Sequence, residues 1–226
     1  MSTASAAPTS HCPQAARGCT GFAVVDVETT GLSAQRDQVL EIGVVQLDAA
    51  GQEQQSWSSL IGVEGLHNAG PTDIHGLTLA DLAGAPALDQ LLDLLAQHLA
   101  GRVLVAHNVR FDLGFLVPAL VSSGHLPPEP SLPQVCTMRS ARRFITTPSR
   151  SLRSCCTAVG VPLEQHHTAL ADARACAGLL RHYLQVAVGR GQAGPWDEEL
   201  AAAQELDCWH WDAAAAREQA RLLRPR

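Results

Sequence analysis

The chain has 226 residues, 46% hydrophobic and 17% charged, which suits one packed domain with short tails and argues against global disorder. Its formal charge of −6 argues against a protein that coats nucleic acid indiscriminately, and no apolar run approaches the roughly 20 residues of a membrane span. The cysteines, seven in number and without a C-x-x-C pair, argue against a disulfide framework or a zinc ribbon and for reduced thiols in a cytoplasm.

Residues 1–20 are rich in Ala, Ser, Thr and Pro, with neither the basic start nor the apolar centre of a secretory signal, and read as a disordered lead. Phe22 to Val27 is a strand by composition, as is Val39 to Leu47. The turn Asp48-Ala49-Ala50-Gly51 leads to a weaker strand, Glu53 to Ile61, so these three form an antiparallel meander. The pattern then changes. Leu88, Leu91, Leu92, Leu95 and Leu99 recur at helical spacing within Ala87 to Ala100. Val103 to Ala106 is a short buried strand, and Asn108 can cap a helix running to about Ser122. A fifth strand lies around Gln134 to Thr137, a short helix at Ser151 to Val159, and a long helix from Thr168 to about Val188. Together these describe an α/β layer fold on a mixed five-stranded sheet within residues 21–188. Residues 189–195 read as a linker. Residues 196–226 read as a helical tail that packs back on the domain and carries Trp196, Trp209 and Trp211.

Asp26 and Glu28 stand at i and i+2 where the first strand ends, so their carboxylates point the same way. Two carboxylates held together are costly unless a cation lies between them. Thr29-Thr30-Gly31 follows, with Gly31 permitting a turn and the close approach of a ligand. Asp112 falls in the first turn of the helix capped by Asn108, and Asp172 in the first turn of the helix capped by Thr168. A helix N-terminus favours negative charge, so both are expected to stay ionised and available to a metal. An all-oxygen set suits Mg²⁺ or Mn²⁺, and carboxylates around two such ions form a clamp for phosphodiester hydrolysis. His167 precedes its helix closely enough to lean toward the same cleft, where a neutral imidazole can take a proton from water.

The sequence Asp26-x-Glu28-Thr29-Thr30-Gly31, then His107-Asn108-x-x-Phe111-Asp112, then His167-x-x-x-x-Asp172, resembles the three motifs of the DEDDh exonuclease family. The likeness extends over residues 21–188 in the family's order. It implies a ribonuclease-H-like sheet of order 3-2-1-4-5, 3′→5′ exonuclease activity and release of 5′-mononucleotides. It further implies two divalent cations held by Asp26, Glu28, Asp112 and Asp172, with His167 as general base. By the same likeness Leu32 wedges against the terminal base and His75 and Leu77 line its pocket. Thr29, Thr30, Gly31, Asn108 and Phe111 complete the expected substrate-binding set.

Between Arg139 and Arg153 the basic residues Arg139, Arg142, Arg143, Arg150 and Arg153 occur without an acidic residue among them, and Arg142 and Arg143 are candidate phosphate ligands. The expected partners are nucleic-acid 3′ ends, single-stranded DNA ahead of RNA, with a DNA polymerase as a candidate docking partner and no membrane. An exoribonuclease and a non-catalytic strand-end module remain as alternatives, because a 2′-hydroxyl preference is not legible in the motifs.

Overall fold

The structure, a computed structural model, describes residues 21–163 and 168–222. Five strands form one sheet: β1 (Gly21–Thr29), β2 (Val39–Asp48), β3 (Glu53–Leu60), β4 (Val103–Ala106) and β5 (Gln134–Cys136). Their order is β3-β2-β1-β4-β5. β1 pairs antiparallel with β2, and β2 antiparallel with β3, as short turns require. β4 and β5 run parallel to β1, reached through helical crossovers. The fold expected from the sequence is therefore the one observed.

Two short helices, α1 (Thr72–His75) and α2 (Leu79–Leu82), follow the meander. A 3-10 turn at Leu88–Leu91 then leads into α3 (Leu92–Leu99), so the leucine-periodic segment begins more tightly wound than an α-helix. α4 (Val109–Ser122) leaves β4, and α5 (Thr137–Phe144) leaves β5. α6 (Leu152–Val159) and the long α7 (Ala169–Gly189) follow the last strand and pack on the sheet. α8 (Asp197–Glu205) and α9 (Ala213–Leu222) make up the tail. Among the described residues no helix is long and apolar enough to cross a membrane. Cys136, Cys155, Cys156, Cys176 and Cys208 are free thiols.

Strand alternation sorts the interior into two larger cores, with a small third cluster of Leu40, Ala69 and Leu82. Ala23, Val25 and Val27 of β1 join Ile42 and Val44 of β2 in one, under α3 and α4. Phe22 and Val24 join Val45 and Leu47 in the other, under α5 to α7. The tail contributes to both. Trp209 is buried in the first core, and Trp196 in the second, edge-on to Phe22 at 6.2 Å between ring centroids. α9 lies along α3, where Gln219 Oε1 accepts from the Leu94 amide at 3.0 Å.

Candidate active site

The face of β1 that carries Phe22 and Val24 into the second core continues as Asp26 and Glu28. Hydrophobic packing thus gives way to carboxylates on one side of a single strand. α7 covers both halves. Its later turns bury Cys176, Leu179, Leu180 and Tyr183, while its first turn carries Asp172. Thr168 caps this helix, its Oγ1 accepting from the Ala171 amide at 3.2 Å. Asp26, Glu28 and Asp172 each present an oxygen, and the three lie within 4.8 Å of one another, so they could hold a metal ion.

Asp112 comes from the first turn of α4 and is 3% exposed. β1 pairs with β4 only as far as Val24 opposite Val105. Beyond that point the Val27 amide donates to Asp112 Oδ1 at 3.3 Å, which ties α4 to β1 next to Asp26. Asn108 stands at the N-cap position of α4 without a side-chain capping bond.

The electrostatics are those of a carboxylate cluster. Burial holds Asp26 well above the usual carboxylate range, and Asp112, Asp172, Glu28 and Glu41 add to the effect. Burial pushes Glu28 up to about 8, followed by repulsion from Asp172, Glu41 and Asp112. Burial raises Asp112 to about 7, against the pull of its own amide and that of Val27. The helix start expected to keep Asp112 ionised is, without a cation, opposed by burial. A helix terminus supplies only partial charge, and desolvation outweighs it. A divalent cation among these oxygens would reverse that balance, and an all-carboxylate donor set fits a hard cation.

Two groups in this cleft are not among the motif residues. Glu41 of β2 lies opposite Glu28, and its Oε2 accepts from the Ala169 amide at 3.0 Å. Burial raises its carboxyl, opposed by that hydrogen bond. Its signal in the sequence is a lone carboxylate inside the apolar run Val39 to Leu47. The other is Asp37. Its carboxyl group fills the space beside Gly31 that a side chain there would occupy, and it accepts from the Ser33 amide at 2.8 Å. The bare Gly31 thus lets Asp37 close the loop after β1, the turn expected at this position.

The remaining expected residues divide into two groups. Leu32 is 87% exposed beside the cleft loop. The Thr30 amide donates to Gln38 at 2.9 Å and the Thr29 hydroxyl to Gly31 at 2.6 Å, which shapes the loop between β1 and β2. Gly70 packs against the Thr30 carbonyl, so the segment carrying α1 and Leu77 borders the same loop. His75, however, is 4% exposed and faces inward. Its Nδ1 accepts from the Leu77 amide at 3.0 Å and its Nε2 lies 3.2 Å from the Ala69 carbonyl, so both nitrogens serve this turn. Phe111 packs edge-on to Phe115 at 5.2 Å. His107, half-buried, bridges Thr137 Oγ1 at 3.0 Å and the Arg150 carbonyl at 2.8 Å, as befits a loop-positioning residue. Arg139, Arg142, Arg143, Arg150 and Arg153 are all exposed, and none is ion-paired among the described residues. His167 lies outside the described residues.

A 3-2-1-4-5 sheet with carboxylates gathered where its central strand meets two helix N-termini defines a ribonuclease-H-like domain with a candidate metal site. Residues 23–180 match the RNase_T exonuclease family, and the chain belongs to it. The PolC-type DNA polymerase III of Clostridium perfringens is 30% identical over 162 residues, a match covering 71% of this chain and 11% of that polymerase. The chain thus spans a small part of the length of such relatives. Among solved structures, E. coli exonuclease I in complex with a dT13 oligonucleotide superposes with a TM-score of 0.65 at 15% identity, covering 75% of this chain and 42% of that one. Exonuclease X in complex with 5′ overhanging duplex DNA gives 0.58 at 24% identity, covering 81% and 99%. At these identities the two structures speak for the fold. The matched family is one of exonucleases, and the carboxylate cluster of this chain could hold a metal ion.

Proposed function

We propose that this protein removes nucleotides one at a time from the 3′ end of a DNA strand, single-stranded ends being preferred, and releases 5′-mononucleotides. The observation that carries this reading is the convergence of Asp26, Glu28 and Asp172 within 4.8 Å, with Asp112 hydrogen-bonded to the same strand. In this reading Asp26, Glu28, Asp112 and Asp172 hold two Mg²⁺ or Mn²⁺ ions. When bound, such ions supply activation of a water and neutralisation of charge on the leaving oxygen. His167 takes the proton from the attacking water as a neutral imidazole. Leu32, projecting from the loop after β1, stacks against the last base, and Leu77 closes the other side. Thr29, Thr30, Gly31, Asn108 and Phe111 border the terminal sugar and phosphate. His75 acts by holding the Leu77 turn. Arg142 and Arg143 meet upstream phosphates. The free cysteines suit the reducing cytoplasm, and the PolC-type relatives make a DNA polymerase the natural docking partner.

The test uses 5′-labelled oligonucleotides of one sequence as DNA and as RNA, with Mn²⁺ or with EDTA, and Asp26→Ala as the control. A ladder shortening from the 3′ end on DNA, absent with EDTA and in the variant, is the expected result. Faster shortening of RNA would make the protein an exoribonuclease. Strand binding without shortening under any metal would make it a non-catalytic end-binding module.

A further inference from the structure

A glutamate directly opposite another glutamate on a half-buried sheet face is unfavourable, since like charges at paired positions repel. Glu41 nevertheless occupies that position opposite Glu28, and is buried. What it gains is a specific partner 128 residues away. Ala169 is the first residue of α7, and its amide is one of the donors that a helix start leaves without an intrahelical acceptor. Thr168 Oγ1 satisfies the Ala171 amide, and Glu41 Oε2 satisfies that of Ala169. Two residues along β2, Gly43 lies against the Ala169–Leu170 peptide, so the helix start fits a notch between a carboxylate and a missing side chain. Asp172 follows within one helical turn of that anchor.

We infer that Glu41 is a positioning residue of the active site, holding the N-terminus of α7 on β2 so that Asp172 meets Asp26 and Glu28. This rests on the proposed reading of those three carboxylates as metal ligands. Glu41 itself stands outside the set whose oxygens converge within 4.8 Å. Its action is through the Ala169 amide, and what that requires is an acceptor oxygen at this place. A carboxamide keeps the acceptor and drops the charge; a methyl group removes both.

The experiment compares full-length wild type, Glu41→Gln and Glu41→Ala. Amide hydrogen exchange over residues 169–172 is followed without metal or substrate, and Mn²⁺ affinity is measured by calorimetry without substrate. Neither readout depends on nuclease activity, so a failure of the proposed reaction would leave them interpretable. Glu41→Ala should exchange faster at the start of α7 and bind Mn²⁺ about 10–100-fold more weakly, the usual cost of losing a group that orients a metal ligand. Glu41→Gln should retain the exchange protection and stay within about threefold of wild type in Mn²⁺ affinity, since a neutral acceptor preserves most of the bond. Unchanged exchange and unchanged affinity in a folded Glu41→Ala would overturn the inference. So would a Glu41→Gln as impaired as Glu41→Ala, because the charge would then be what matters. Should Glu41→Ala fail to fold, Glu41→Gln decides alone: near-wild-type affinity and protection support the clamp, and a tenfold loss of affinity overturns it.

Discussion

Gly43 of β2 pairs with Asp26 of β1 and lies directly against the backbone of Ala169 at the start of α7. The absence of a side chain at position 43 lets a helix terminus approach the sheet beside a carboxylate of the cluster. In Gly43→Ala the added carbon would overlap the Ala169 carbonyl, and backbone cannot move aside as a side-chain tip can. Overpacking of this kind costs about 1–3 kcal/mol. The expected outcome is a lower melting temperature and a higher half-saturating Mn²⁺ concentration. Both can be read on one preparation, by thermal melting and by a metal titration of hydrolysis. Unchanged metal dependence would separate the notch from the site.

The carboxylate cluster gives metal-free stability a definite pH dependence. Glu28 is raised to about 8 from an ordinary 4.5, and Asp112 to about 7 from an ordinary 3.8. With folded values above the unfolded ones, the folded state keeps protons that the unfolded chain releases. Their contribution is complete below about pH 4 and is lost as pH rises through 7 to 8. In EDTA the melting temperature should fall between pH 5 and 8.5. Millimolar Mn²⁺ should restore it most at the alkaline end, because a ligand that binds only the folded, ionised site stabilises by mass action. Asp26→Ala should be as stable as wild type in EDTA, or more so, while losing hydrolysis. A melting temperature that is flat with pH in EDTA would mean the cluster is compensated by some other cation.

Much of this site can be read from local rules. The D-x-E pair points one way because strands alternate, and Asp172 falls in a first helical turn because Thr168 caps its helix; Asp112 does so as well, with Asn108 at the N-cap position but without a capping bond. What escaped local reading depends on distant chain. Glu41 is a lone charge in an apolar strand until the start of α7, 128 residues later, supplies its amide. The inward turn of His75 depends on Ala69 and Leu77 closing around it. The upward push on the Asp112 carboxyl comes from burial, which no helix-end rule contains.

The tail separates sequence logic from packing. The motifs end at Asp172 and the Gly-containing segment 189–195 resembles a boundary, so deleting 196–226 should be harmless by motif content alone. Yet Trp196 packs into the core beside Phe22 and Phe144, and Trp209 is 4% exposed in the opposite core. Removing a buried tryptophan side chain costs about 3–5 kcal/mol, against a typical total stability of about 5–15. Truncation before Trp196 is therefore expected to yield insoluble or partly unfolded protein. Circular dichroism and melting of the truncated chain check this. A soluble truncation with wild-type melting and activity would show the tail to be dispensable.

His166 and His167 are adjacent and only one can serve as general base. The family spacing, four residues between the histidine and the last aspartate, selects His167. His167→Ala should lower kcat by about 10²–10⁴, the usual contribution of a positioned base, with metal affinity retained because the carboxylates remain. The acidic limb of the pH–rate profile should change with it. His166→Ala should cost little. Measuring kcat of both variants at saturating Mn²⁺ decides, and a crippled His166→Ala would shift the third motif by one residue.

α5 presents Arg139, Arg142 and Arg143 outward while Ala141 and Phe144 are buried beneath them. The Arg143 guanidinium lies 5.2 Å from the Phe144 ring centroid. Among the described residues no carboxylate pairs with this face to offset its repulsion, and phosphate is the partner that would. Alanine is the best helix former, so Arg142→Ala/Arg143→Ala should leave α5 intact, apart from about 0.5–1 kcal/mol of lost cation–π contact. Strand affinity should drop to a similar extent for every sequence tested, since phosphates carry no base information. Single strands release counterions on binding, so the slope of log K against log salt should shrink by roughly 0.7 for each phosphate contact removed. Binding of a labelled oligonucleotide to a metal-free, catalytically silent background such as Asp26→Ala isolates this from turnover. A slope identical to that of Asp26→Ala alone would mean that these arginines are a solvated surface, and the upstream strand would have to run elsewhere.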